Sequence, residues 1–179
     1  CMLKGLGIVE AKHGKGMFVR HLDISAVFVM LSPLLRTQAD IDIEDIIQVR
    51  LHLESSIAEV AAARRSEENL NALREALAGM EEHLGDTRTF IRHDMAFHLE
   101  LARSTGNPVF HVFITSIMDL LAEIQFSYPD RPEERKRSLG FHRKVFAAGD
   151  ARDGAAARAA MQGHILNIKE RICRNSTLS

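Results

Sequence analysis

The stretch HDMAFHLELARSTGNP, residues 93–108, has the apolar spacing of an amphipathic helix, with two possible metal ligands among its core positions. Asp94 and His98 are four residues apart, so they share one helix face with a rise of about 6 Å between them. Phe97 and Leu101 predict that this face is turned towards a core. Because buried charge needs a partner, the pair predicts either polar residues at the rim of a core or half of a metal site.

Start and stop signals for helices recur along the whole chain after residue 22. Gly106 ends the quoted helix, and Pro108 after Asn107 begins another. No stretch beyond residue 22 shows sustained alternation with a period of two. The predicted helices span about residues 43–64, 67–85, 87–106, 108–127, 133–148 and 154–174, with a shorter segment at 24–36 that Pro33 interrupts. Six or seven helices with short connections predict an all-α antiparallel bundle.

The first 21 residues have a different character. The stretch GIVEAKHGKGMFVRH, residues 7–21, predicts a β-hairpin whose tip is bracketed by Gly14 and Gly16. Residues 1–21 hold four basic residues and one acidic residue, whereas residues 22–179 hold 19 basic and 23 acidic residues. Because an isolated hairpin is marginally stable, we expect it to belong to a domain whose first part precedes Cys1.

Composition sets limits on the class of protein. The 179 residues carry a net charge of −1, which gives no overall attraction to nucleic acid. No apolar run is long enough to span a bilayer. The two cysteines, Cys1 and Cys173, have no metal-ligand spacing and are too few for a disulfide framework, which favours a reducing cytoplasm as the location.

Two later histidines have the same apolar surroundings as His98. His142 has apolar residues at offsets of −3, +3 and +4, which are Leu139, Val145 and Phe146. His164 has apolar residues at offsets of −3, +1 and +4, which are Met161, Ile165 and Ile168. Each histidine alone is typical of a satisfied core histidine. Three helices that each turn an imidazole or carboxylate inward indicate a metal site in the bundle core.

Several stretches together resemble one known family. DMAFHLELARSTGN (94–107), SLGFHRKVFAAGD (138–150), AAMQGHILNI (159–168) and VRLHLESSIAEVAA (49–62) resemble the FCD ligand-binding domain of FadR-like GntR-family bacterial transcription regulators. LKGLGIVEAKHGKGMFV (3–19) is similar to the second half of the winged helix-turn-helix that precedes it. The resemblance implies two parts: the wing of a truncated DNA-binding domain at 1–21, and a helical metal- and effector-binding domain at 22–179.

The resemblance also implies a ligand set. Asp94, His98, His142 and His164 are expected to hold one divalent metal ion, with zinc favoured and nickel, iron or manganese compatible with the same donors. Four protein ligands can close a tetrahedral site, whereas a higher coordination number leaves positions for water and an effector. Phe141 stands where many relatives have Glu, which argues against a supporting role for that position.

Two further residues are expected to bind a small organic acid effector. By the resemblance, Arg50 reaches into the cavity, where its guanidinium can hold a carboxylate through two hydrogen bonds. The alternative is an ion pair with Glu54, one turn on. Asn167 shares a side of the last helix with His164 and can donate to an effector. The alternative is a polar filler residue.

The hairpin tip has its own functional interpretation. In regulators of this kind the wing enters the minor groove of DNA, so the resemblance assigns DNA contacts to Lys12, His13, Gly14 and Lys15. Gly14 permits a close backbone approach, and the two lysines can flank phosphates. The alternative is a solvated turn.

Three classes of function follow from these observations. They are a metabolite-responsive regulator, a metal-dependent hydrolase or lyase, and a bundle whose metal is purely structural. The wing favours the regulator. Glu100 is the nearest further carboxylate in sequence, but it points to a different helix face from His98. No catalytic residue is therefore expected. Phe110, Phe113 and Ile117 exceed the needs of one bundle core, which together with half-site symmetry predicts a homodimer.

Overall fold

The computed structural model describes residues 9–12, 16–19, 42–127 and 131–176. These residues form a two-stranded hairpin and six helices, in chain order β1 (Val9–Lys12), β2 (Gly16–Val19), α1 (Ile43–Arg64), α2 (Glu67–Glu82), α3 (Thr87–Ser104), α4 (Pro108–Ser127), α5 (Pro132–Asp150) and α6 (Gly154–Ser176). The all-α bundle with a preceding hairpin is therefore confirmed. The segment predicted at 24–36 lies outside the described residues.

Short polar side chains begin the helices where the sequence predicted them. The Ser66 hydroxyl accepts a hydrogen bond from the Asn69 amide at 3.1 Å, and the Asn69 side chain accepts from the Ser66 amide at 2.9 Å. Asp86 accepts from two amides at the start of α3, and Asn107 accepts from the Val109 amide at 3.0 Å. These local caps explain why the starts of the helices could be predicted from the sequence.

The predicted end of α2 at Gly85 was wrong by one turn, since α2 ends at Glu82. The backbone of residues 83–85 forms a turn, closed by a hydrogen bond from the Asp86 amide to the His83 carbonyl at 3.0 Å. Asp86 must adopt an extended conformation to cap α3, so the chain has to leave α2 before it.

Two surface ion pairs give the relative direction of α1 and α6. Lys169, late in α6, pairs with Glu44 at the start of α1. Arg158, early in α6, pairs with Glu59 near the end of α1 at 2.6 Å. The two helices therefore run antiparallel along each other, and both also pack against other core helices, α1 against α3 and α6 against α5.

The core is a continuous apolar cluster to which all six helices contribute. Its most deeply buried members include Ile57, Met80, Phe97, Ile114, Leu139, Met161 and Ile165. On α1 the buried face is centred on Ile47, Ile57 and Ala61, and Leu53 and Val60 lie at its partly buried edge. Within the part of the chain that the structure describes, none of the helices combines the length and the hydropathy of a membrane span.

The hairpin has the predicted antiparallel arrangement. Val9 pairs with Val19, and Lys12 pairs with Gly16, so the strands are joined by a three-residue connection. Gly16 has a φ of +92°, a backbone conformation that favours glycine. Of the residues assigned to DNA contacts, His13, Gly14 and Lys15 lie outside the described residues, and Lys12 is described only as part of the β1 backbone.

Candidate metal and effector site

The bundle core brings four predicted ligands together. Asp94 and His98 lie on α3, His142 on α5 and His164 on α6, and all four side chains are buried. Each offers one ligand atom, and these atoms all lie within 4.8 Å of one another. We call these four residues the His/Asp cluster. It is a group of donors that can hold a metal ion.

The interatomic distances within the His/Asp cluster suit donors around one ion. Nε2 of His142 lies 3.1 Å from Oδ1 of Asp94 and 3.2 Å from Nε2 of His98. The ring centroid of His164 lies 4.3 Å from that of His142 and 5.3 Å from that of His98. A tetrahedral ion with bonds of about 2.0–2.1 Å separates its donors by roughly 3.3 Å. The spacing is therefore compatible with direct coordination after small adjustments.

Two of the imidazoles are oriented from behind by oxygen atoms. Nδ1 of His98 lies 2.5 Å from Oε2 of Glu54 on α1, and Nδ1 of His142 lies 2.9 Å from the backbone carbonyl of Ser138. The Ser138 carbonyl accepts from Nδ1 of His142 and so leaves the Nε2 lone pair of that ring facing the cluster. The contact of Glu54 with His98 is a close charge contact that lacks hydrogen-bond geometry. Metal-binding histidines usually have such a carboxylate or carbonyl behind them.

His164 differs from the other two histidines in having no such support. Neither of its ring nitrogens has a hydrogen-bond partner among the described residues, although the side chain is almost completely buried. Burial, together with the neighbouring His142 and His98 rings, lowers its pKa well below the ordinary value, so the ring is neutral. An unpaired buried polar group is costly. A neutral imidazole with open nitrogens beside a carboxylate is the arrangement that a metal ion would satisfy.

Both buried carboxylates are held in the charged form. Burial raises the pKa of Asp94, but the nearby imidazoles of His142 and His98 outweigh it and lower the pKa well below its usual range. Burial likewise raises the pKa of Glu54, but the charges of Arg50 and His98 outweigh burial and lower this pKa well below its usual range. A charged Asp94 beside neutral His164 is the ligand chemistry that divalent ions require.

These shifts predict a pH dependence for the metal-free protein. In the unfolded chain His164 binds a proton near its ordinary pKa of 6.5, whereas in the folded chain it does so only at lower pH. Stability should therefore fall as the pH drops below about 6.5, by at most about 1.4 kcal/mol per pH unit for this proton. Asp94 and Glu54, with lowered pKa values, extend the loss in the same direction towards more acidic pH. Denaturant unfolding of chelated protein between about pH 8 and pH 5 measures this slope. A His164→Asn variant with an unchanged slope would contradict it.

The ion pair that the sequence offered as the alternative for Arg50 is present, and part of the guanidinium lies outside it. Arg50 is 0% exposed, and its Nε donates a hydrogen bond to Oε1 of Glu54. Its two terminal nitrogens have no hydrogen-bond partner among the described residues. The pair with Glu54 therefore uses one side of the guanidinium and leaves the other available to an acceptor.

Asn167 lies on α6 and is largely buried. It is 8% exposed, and its side-chain amide has no hydrogen-bond partner among the described residues. It lines a cavity of about 20 Å³ between α3, α5 and α6, which Asp94 also lines. Arg50 is not among the residues that line this cavity, so the two predicted effector residues do not share it.

Three residues at the site have contacts that were not predicted from the sequence. Glu54 was considered only as a partner for Arg50, yet it also contacts His98. Ser138 supports His142 through its backbone carbonyl, which no side-chain pattern reveals. Arg135 is buried beside the cavity and donates to the Leu84 carbonyl at 2.7 Å. For Glu54 the sequence did contain one signal, because its spacing from Ile57 and Ile47 places it on the buried side of the same helix.

Comparison with known proteins assigns the chain to a family. The profile of the FCD domain matches residues 45–167. The chain is 29% identical to the HTH-type transcriptional regulator LutR of Bacillus subtilis, over 94% of this chain and 78% of that protein. It is 32% identical to the Uxu operon transcriptional regulator of Escherichia coli, over 99% of this chain and 71% of that protein.

Solved structures agree on the fold. Streptococcus agalactiae GntR superposes with a TM-score of 0.73 at 24% identity, over 94% of this chain and 77% of that chain.

Glu100, the carboxylate weighed for catalysis, receives a hydrogen bond from Asn69 at 2.8 Å. The relatives are regulators, so the alternative of a metal-dependent hydrolase or lyase was wrong. The chain belongs to the FCD domain family of GntR-type transcription regulators.

Proposed function

We propose that this chain senses a small organic acid with a metal-containing helical domain and passes that signal to DNA-binding domains. Asp94, His98, His142 and His164 would hold one divalent ion. The observation that carries the proposal is a pair of buried groups that influence each other and lack hydrogen-bond partners among the described residues: both ring nitrogens of His164 and the two terminal nitrogens of Arg50. A cation satisfies the first, and a carboxylate satisfies the second.

The donor set narrows the choice of ion. Three imidazoles and one carboxylate suit zinc, which we favour, and also nickel, iron or manganese. When bound, such an ion supplies a positive centre that an organic acid can join if its coordination is not filled by the protein. Glu54 and the Ser138 carbonyl would keep the His98 and His142 rings in position for it.

The acid itself would be recognised by two positive centres. The charge of Arg50 helps to lower the pKa of Asp94, so the guanidinium lies near the His/Asp cluster. Its position on α1 means that an acid held between Arg50 and the ion would connect α1 to α3, α5 and α6. Asn167, which lines the cavity beside Asp94 and not the space at Arg50, would approach the site from the α6 side. Such bridging gives the effector different contacts in different arrangements of the helices, which coupling to DNA binding requires.

DNA binding would involve the hairpin. We assign residues 1–21 to the wing of a winged helix-turn-helix and residues 22–179 to the sensing domain. Lys12, His13, Gly14 and Lys15 would approach the DNA backbone.

A thermal-shift screen of small carboxylic acids tests the proposal. Protein loaded with a divalent ion should be stabilised by its effector, because a ligand that binds only the folded state raises the melting temperature. The same acids should have little effect after treatment with a chelator. If acids stabilise the loaded and the chelated protein equally, the ion takes no part in recognition.

We also propose a homodimer formed through α4. Val109 and Phe113 are one turn apart on this helix and are 53% and 44% exposed, whereas Phe110 and Ile117 pack partly against the core. Exposed apolar side chains in a stripe are typical of a subunit interface. We expect sedimentation at tens of micromolar to show a dimer and Phe113→Glu to shift it towards monomer. A wild-type monomer at that concentration would contradict this.

A further inference from the structure

Phe141 on α5 lies against His164, one of the four residues of the His/Asp cluster. The centroids of the two rings are 6.3 Å apart, within the range of aromatic ring contacts. Phe141 is half-buried, whereas His164 is only 1% exposed. The phenylalanine ring therefore separates His164 from solvent on this side of the cluster.

Gly163 on α6 makes room for the phenylalanine ring. A methyl carbon added at Gly163 would lie 2.9 Å from Cε1 of Phe141, which is closer than side-chain carbons pack. The ring is thus in close contact with α6 directly beside His164. The ammonium group of the exposed Lys144 lies 5.3 Å from the ring centroid, so the ring extends from the α6 backbone to the protein surface.

Phe141 differs in its surroundings from Phe146, the other phenylalanine of α5. Phe146 is also half-buried and has a cation over its ring, since Cζ of Arg74 lies 5.3 Å from the centroid. Phe146 packs against the apolar core cluster, whereas Phe141 is not among the described residues that do so. The position of Phe141 is therefore better explained by the His/Asp cluster than by the packing of the core.

The cavity beside Asp94 is a less suitable route for a cation. It has a volume of about 20 Å³, roughly the space of one water molecule, and none of the three histidines of the cluster lines it. Arg135 and Arg171 do line it, and their positive charges oppose the passage of a cation. Lys144, by contrast, is exposed on a flexible side chain that can turn away from Phe141.

We infer that Phe141 is a gate that controls the access of metal ions to His164 between α5 and α6, and that Gly163 allows the gate to close. The inference rests on the proposed function, since it concerns the same metal site. Outward rotation of the ring would uncover His164, and its return would exclude solvent. Such a gate slows metal binding and metal release alike, because both require it to open, and it leaves the affinity almost unchanged.

Zinc exchange measured in both directions tests the inference. Release is followed as transfer from zinc-loaded protein to an excess of a chromophoric chelator, and binding as zinc uptake by metal-free protein in stopped flow. Phe141→Ala should raise both rates about tenfold or more and change the dissociation constant for zinc less than about threefold. Phe146→Ala is the matched control, because it removes the same ring from the same helix and from the core. It should leave the rate of zinc binding at the wild-type value.

Gly163→Ala provides a second variant, which retains the phenylalanine. The added methyl group should push the Phe141 ring outward and so raise both rates. In a Phe141→Ala background the same change should have no further effect, because the group that it displaces is gone. An equal effect of Gly163→Ala in both backgrounds would show that it acts on His164 directly, and would contradict the role of Gly163.

The outcomes separate this inference from the proposed function. If Phe141→Ala speeds zinc release but not zinc binding, the ring only stabilises the bound state, and the inference is overturned. Unchanged rates in both directions would show that ions enter elsewhere, which also overturns it, while the proposed metal site stands. Failure of the wild-type protein to bind zinc at all would contradict the proposed function and the gate together.

Discussion

His164→Ala should lower metal affinity by orders of magnitude while the bundle remains folded. His164 has no hydrogen-bond partner among the described residues, so its removal breaks no network within the protein. It would, however, take away one of the four ligand atoms that the described residues bring within 4.8 Å of one another. Metal content after dialysis against a weak chelator, measured by elemental analysis, gives the result.

His142→Ala provides a second, independent variant with an equally large expected loss. Its Nε2 lies 3.1 Å from the Asp94 carboxylate, so the variant also removes the nearer of the two imidazoles beside that buried charge and leaves His98 at 3.9 Å. We therefore expect a lower melting temperature for His142→Ala than for His164→Ala. His52→Ala, an exposed histidine on α1, is the control and should retain the wild-type metal content. Wild-type retention in either cluster variant would remove that residue from the ligand set.

Arg50→Ala should weaken effector binding roughly ten- to a hundredfold with metal content nearly unchanged. A partly buried hydrogen bond to a charged group is worth about 1.5–3 kcal/mol, and each 1.4 kcal/mol is about a factor of ten in affinity. Titration of the acids that stabilise wild-type protein into metal-loaded variants measures the loss. In a full-length regulator the same change should leave operator binding intact and reduce the response to effector.

The control for Arg50 has to account for Glu54. Without the guanidinium, Glu54 keeps only His98 as a partner in a buried setting, so Arg50→Ala also risks the stability of the fold. Arg50→Lys retains a positive charge beside Glu54 but lacks the planar fork of the guanidinium. It should fold like wild type and still lose effector affinity. Equal affinities in wild type and both variants would show that Arg50 serves only its ion pair with Glu54.

Sequence was sufficient for the features that depend on local chemistry. The starts of α2 and α4 depend on Ser66 and on Asn107 followed by Pro108, whose side chains and backbone act within a few residues. The spacing of Asp94 and His98 on one helix face is also local. These features could be predicted because helix geometry determines them wherever the helix lies in the fold.

The remaining features depend on contacts between distant parts of the chain. That His142 and His164 meet His98 was inferred from apolar surroundings and from a family resemblance, since no spacing can bring three helices together. The contact of Glu54 with His98 joins α1 to α3, and the contact of Phe141 with His164 depends on how α5 and α6 pack. Tertiary packing creates such contacts, so a single sequence cannot reveal them.

Elemental analysis of the purified wild-type chain is the most direct test of the proposed metal site. The cluster of four buried donors predicts about one divalent ion per chain, with zinc the favoured ion. Removal of that ion with a chelator should lower the melting temperature, because a site that joins three helices adds its binding free energy to folding. Protein purified without chelator and incubated with excess zinc that still retains no metal, and melts at the same temperature with and without the ion, would contradict it.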